Sequence, residues 1–74
     1  MLLKFEVYRD DKWWGARALG HAIFTQARTP DKLYDNIKEA AHLHFEEEVD
    51  KGETLEILIL ADAEVPGGRA AAVG

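Results

Sequence analysis

Hydrophobic and polar residues alternate from the start of the chain. Leu3, Phe5 and Val7 share one face of residues 2–9, and Lys4, Glu6 and Tyr8 share the other. A period of two is the mark of a half-buried strand. Asp10-Asp11-Lys12 interrupts it with turn-favouring charged residues. Trp13 to Ala18 reads as a second strand, making residues 2–18 a hairpin. After a break at Leu19-Gly20, Ile23, Phe24 and Thr25 favour a third strand over His21–Gln26. Thr29-Pro30 then sets a capping hydroxyl before a proline at the first helical position. Asp31 and Asp35 follow where the helix dipole favours negative charge. Residues 30–50 hold no further Pro and no Gly, and Gly52 is a stop signal. The spacing predicts one helix over 30–50, ~30 Å long. Its apolar stripe comprises Leu33, Tyr34, Ile37, Ala40, Ala41, His44 and Phe45. Residues 53–60 form the last strand, with Leu55, Ile57 and Ile59 on one face and Leu58 and Leu60 on the other. Apolar residues on both faces predict deeper burial than in the first strand. The pattern stops after Ala61, so 1–62 is expected to be the domain and 63–74 a flexible tail.

The order β-β-β-α-β predicts an α+β fold of two layers. The first three strands form a meander, and a right-handed crossover returns the fourth beside the first and parallel to it. The result is a mixed four-stranded sheet of order 3-2-1-4 with the helix on one face. No element remains to cover the other face. Tyr8, one of the two tryptophans, one of Ile23 and Phe24, and part of the 57–60 run must lie there. Adjacent Trp13 and Trp14 point to opposite faces, so one is core. Tyr8, Trp13 and Ile23 are taken as the contacts of a homodimer or higher homo-oligomer.

Composition narrows the function classes. The chain has 74 residues and no cysteine. A domain this short buries only ~60% of its unfolded surface, so its core is thin. Without cysteine there is neither a disulfide framework nor a thiolate metal site. The longest apolar run, Ile57 to Leu60, is far short of the ~20 residues of a membrane helix, and no secretory leader opens the chain. A cytoplasmic protein with no membrane contact is the expectation. Fourteen Asp and Glu stand against nine Lys and Arg, a net charge of −5. That balance disfavours nucleic acid and suits a basic protein partner.

The candidate chemistry is sparse. The chain lacks Ser, and Thr25, Thr29 and Thr54 are explained as turn, cap and strand residues. Gly67-Gly68 is followed by neither a helix nor a Lys, so it is no phosphate loop. Glu6, Glu39 and Asp62 sit on elements that could present carboxylates to metal ions, but Glu6 and Glu39 fall on solvated phases. His42 and His44 are two apart on the helix and cannot share a face, whereas His44 and Glu48 are spaced as a pair. No catalytic residue, metal site or cofactor is expected. Glu46, Glu47, Glu48 and Asp50 crowd the end of the predicted helix, where negative charge opposes the dipole. A cluster that costs stability is a candidate docking patch for a basic partner.

Two stretches carry a family resemblance. They are Asp10-Asp11-Lys12-Trp13-Trp14-Gly15-Ala16-Arg17 and the run from Phe24-Thr25-Gln26-Ala27-Arg28-Thr29 through Asn36-Ile37-Lys38-Glu39-Ala40. Together with the first strand they resemble the HicB-like antitoxin family over residues 2–48. The resemblance implies a partial ribonuclease H-like fold and a non-enzymatic domain that neutralises a small basic ribonuclease toxin by occluding it. The family's longer loop between strands two and three is reduced here to Ala18-Leu19-Gly20, and its Gly after Thr-Gln is Ala27. Many members add a DNA-binding domain. This chain looks like a single-domain member, so no direct DNA binding is expected. The alternatives are a self-associating scaffold without a toxin and, less favoured, a metal-dependent nuclease.

Overall fold

The computed structural model describes residues 1–61. In chain order they form β1 (Leu2–Asp10), β2 (Trp13–Ala18), β3 (Phe24–Ala27), α1 (Pro30–His44), α2 (Glu46–Asp50) and β4 (Glu56–Ala61). The sheet order is β3-β2-β1-β4. β1 pairs antiparallel with β2 and parallel with β4, and β2 pairs antiparallel with β3. This is the two-layer α+β architecture expected from the sequence. The expected tail at 63–74 lies outside the described residues, as does Asp62.

The β1–β2 hairpin closes on Asp11-Lys12, with Asp11 at a φ of 51°. Asp is among the few residues that tolerate the left-handed region. Thr29 caps α1 as its sequence predicts: its Oγ1 accepts the Lys32 N–H at 3.2 Å. Alternation along β1 sends Leu3, Phe5 and Val7 into the core, where they meet Leu33, Ile37 and Ala41 of α1. Phe5, Leu33 and Ile37 are fully buried, each contributing about 1.5–3 kcal/mol of transfer free energy. Under the helix, the fully buried core residues of β2 and β3 are alanines, Ala16, Ala18 and Ala27, with Trp14 packed half-buried beside them. Small side chains let α1 settle over that half of the sheet, and it packs on β3 and β2.

Five details depart from the sequence reading. The helix predicted over 30–50 is divided at Phe45, which leaves the helical region (φ −114°, ψ 38°) and is buried in the core. His44, assigned to the apolar stripe, is exposed; its ring instead meets those of His21 and Phe45 edge-on. The third strand runs over Phe24–Ala27 rather than His21–Gln26. Ile23, placed on the open face, is instead buried in the core at 6% exposure, while Phe24 points outward. The fifth correction concerns β4. Its apolar run lies at the sheet edge, beyond α1, and no residue from 56 to 61 is fully buried. Coverage by the helix, not hydrophobicity, decides burial there.

Candidate functional site

The uncovered face of the sheet gathers the exposed aromatic residues. Strand parity and register bring Tyr8 of β1, Trp13 and Arg17 of β2, and Phe24 of β3 to that side. Leu58 and Leu60 of β4 join them through pairing with Lys4 and Glu6. Phe24 is 58% exposed, Leu58 44% and Trp13 39%. Among the described residues no element packs over this face. Trp14, the partner of Trp13, packs half-buried against the core, as the opposite pointing of adjacent strand residues requires.

The arrangement within the face is ordered. One row crosses all four strands as Leu60, Glu6, Arg17 and Phe24. At its centre Arg17 donates two hydrogen bonds to Glu6 Oε1, from Nε at 3.0 Å and Nη2 at 2.7 Å. Both side chains are largely exposed, so the pair stabilises the fold by ~0.2–1 kcal/mol at most. Its weight lies in fixing a guanidinium in the middle of a row with apolar ends, a residue type enriched at protein contacts. In the next row Tyr8 lies opposite Gly15, which lies opposite Gln26. The Tyr8 ring passes over Gly15 so closely that a Cβ there would be 2.6 Å from ring carbons. It reaches Phe24 at a centroid distance of 6.5 Å. Glycine thus allows one aromatic ring to lie down against another. At the end of the sheet the Arg28 guanidinium sits 5.0 Å from the Trp13 ring, a cation–π contact.

Of the predicted contact residues, the structure brings Tyr8 and Trp13 to one face and removes Ile23 to the core. Phe24 takes the place assigned to Ile23. Phase across the Gly20 turn decides between them: Gly20 has a φ of 83°, and the Ala18 N–H donates to Ile23 O. The acidic residues Glu46, Glu47, Glu48 and Asp50 lie together on α2, which packs against α1. The break at Phe45 changes their electrostatics. Glu46, Glu47 and Glu48 occupy the first turn of a new helix rather than the last turns of a long one. Negative charge is favoured at that end. Their clustering is therefore not a cost to the helix that carries them, and exposure alone recommends them as a contact.

The carboxylates considered for metal binding do not converge. Glu6 faces outward and is paired with Arg17, whereas Glu39 stands on α1, across the sheet. Glu39 lines a shallow groove of about 280 Å³ with Thr25, Asn36, Ala40 and Leu43. No cluster of three or more His, Asp or Glu that could hold a metal is present among the described residues. His44 makes no hydrogen bond to Glu48 among those residues; its neighbours are aromatic. No helix among the described residues is long and apolar enough to cross a membrane.

The chain is similar to a UPF0150 protein of Archaeoglobus fulgidus, 49% identical over 43 residues. That stretch is 58% of this chain and 65% of the relative, so the chain spans just under two thirds of the relative's length. The relative's name states no activity. No family model matches the chain, and no solved structure matches it.

Proposed function

We propose that this chain is a non-enzymatic protein-interaction module of the HicB-like antitoxin kind, which neutralises a small basic ribonuclease by covering it. The carrying observation is the open sheet face, where Tyr8, Trp13, Phe24, Leu58 and Leu60 are exposed around the Arg17–Glu6 pair. An exposed patch of large apolar side chains is what a soluble domain keeps for a protein contact. The acidic α2 and the net charge of −5 supply attraction for a cationic partner and speed its encounter. The resemblance over residues 2–48 supports the antitoxin reading, and the UPF0150 relative adds a homologue without a stated role. Where no toxin is present, the same face serves self-association through Tyr8, Trp13 and Phe24.

The test is reconstitution. If the adjacent reading frame encodes a small basic protein, the chain is mixed with it, followed by gel filtration and an RNA-cleavage assay; the absence of any such neighbour also counts against the antitoxin reading. A complex at micromolar concentration, with cleavage suppressed and Trp13→Ala weakening both, is expected. Co-elution without loss of cleavage, or no complex at all, would refute the antitoxin reading.

A further inference from the structure

The two edges of the sheet are treated differently. At one edge, β3 is only 4 residues long, α1 packs beside it, and Asn36 Nδ2 donates to the Gln26 carbonyl at 3.2 Å. At the other, β4 offers 6 residues, Glu-Ile-Leu-Ile-Leu-Ala, whose outer side meets no element among the described residues. Protein edges are normally blunted by Pro, Lys, a bulge or an inward charge. Between Ile57 and Ala61 β4 has no Pro and no charge. Its backbone polarity can be assigned. The Glu56 N–H donates to Met1 O at 2.8 Å, so Glu56 faces β1. Alternate residues share that direction, so Ile57, Ile59 and Ala61 aim their N–H and C=O groups at the free edge. Beside them, on the helix side, Tyr34, Lys38, Leu55, Ile57 and Ile59 line an open groove of about 440 Å³.

We propose that β4 pairs antiparallel with β4 of a second copy of this chain, joining two sheets into one continuous sheet. The edge is complementary to itself. A two-fold axis perpendicular to the sheet keeps both helix layers on the same side, so groove-side residues must oppose groove-side residues. With the axis at Leu58, Ile57 of one copy opposes Ile59 of the other. These are the residues with outward N–H and C=O groups, so each such pair exchanges both hydrogen bonds. Leu58 opposes Leu58 on the open face. In the Leu58 register the two grooves adjoin, and Ile57 and Ile59 of each copy close the other's. An edge about 20 Å long buries less than the ~800 Å² per partner of a standard interface, which sets the expected dissociation constant in the micromolar range. Pairing is independent of what the open face meets. It leaves both open faces on the same side, as one wider platform.

The chain has no cysteine, so a single introduced thiol reports the register cleanly. Opposed residues of a non-hydrogen-bonded antiparallel pair have Cα atoms ~4.5 Å apart, within disulfide reach. Leu58→Cys should therefore form a disulfide dimer under mild oxidation. Leu60→Cys lies on the same strand and face but ~14 Å from its symmetry mate, and should not. Sedimentation velocity of the unmodified chain should show a monomer–dimer equilibrium. Ile59→Pro removes only an outward N–H, keeps the β1–β4 ladder, and should raise the dissociation constant about tenfold or more. If that variant loses its far-UV circular dichroism, the contrast between the two cysteines decides. A monomer at every concentration up to ~1 mM overturns edge pairing. So does equal cross-linking at positions 58 and 60, or a dimer abolished by Tyr8→Glu and untouched by Ile59→Pro, which assigns self-association to the open face.

Discussion

Gly15→Ala is predicted to destabilise the protein in one background and stabilise it in another. Gly15 is a strand residue whose φ lies outside the left-handed region, so alanine meets no backbone strain there. Taken alone, replacing a strand glycine by alanine gains about 0.5–1 kcal/mol from lost unfolded-state freedom. The new Cβ, however, would stand 2.6 Å from Tyr8 Cε2 and Cζ and 2.9 Å from its Oη. Carbon contacts settle at about 3.5–4.0 Å, so the ring must retreat by roughly an ångström. Tyr8 is exposed and can swing about its own bonds, which spares the backbone. The swing costs about 0.5–1.5 kcal/mol in rotamer strain. It also forfeits about 0.5–1.5 kcal/mol of contact with Phe24. The balance is a net loss of about 1 kcal/mol, or a Tm lowered by about 4–8 °C in a domain of this size. In a Tyr8→Ala background the obstruction is gone, and Gly15→Ala should then raise stability by about 0.5–1 kcal/mol. Urea melts of the four proteins, followed by far-UV circular dichroism, measure the cycle. If alanine stabilises equally with and without the Tyr8 ring, the close approach does not shape this face.

Two further substitutions check the fold that positions the face. Ile23→Ala should cost about 2–5 kcal/mol, and Phe24→Ala less than about 1 kcal/mol, because the first is core and the second is mostly exposed; equal losses in thermal melts would contradict the assigned facing. Thr29→Ala should cost about 1 kcal/mol by leaving the Lys32 N–H without its acceptor, and Thr29→Asp should retain most of that stability in the same melts.

The strands of the hairpin, the capped start of α1 and the sheet order were legible because each rests on local signals. Alternation in β1, the Asp-rich turn and Thr29-Pro30 act within a few residues of where they are read. The splitting of Trp13 from Trp14 follows from the pleat alone. What escaped depends on backbone geometry and packing that the pattern of residue types does not carry. Ile23 and Phe24 are both apolar, and only the turn at Gly20 decides which enters the core. The bend at Phe45 has no Gly or Pro to announce it; it is visible only in the backbone and in the burial of that ring. β4 reads as deeply buried because its sequence is apolar on both faces. The helix that would bury it lies over β2 and β3 instead. On the candidate face, parity alone places Tyr8 and Trp13 and requires part of the 57–60 run beside them; that Leu58 and Leu60 are the residues concerned, at the edge of the sheet, follows from their pairing with Lys4 and Glu6.

The parallel pairing of β1 with β4 sets the order in which this chain can fold. Leu2 pairs with Glu56, and the amino terminus donates to Thr54 O, so these contacts close almost the whole described chain. The hairpin, β3 and α1 meet through much shorter loops, whose closure entropy is smaller and is met early. β4 is therefore the last strand to dock and the first to leave. Its amides should exchange with solvent through a local opening well below the global unfolding free energy, while those of β1 and β2 remain protected. With β4 detached, the sheet is three-stranded and β1 becomes an edge. Losing β4 leaves the hairpin and its helix standing, so the same sequence separation that slows assembly confines the damage of partial unfolding to one strand.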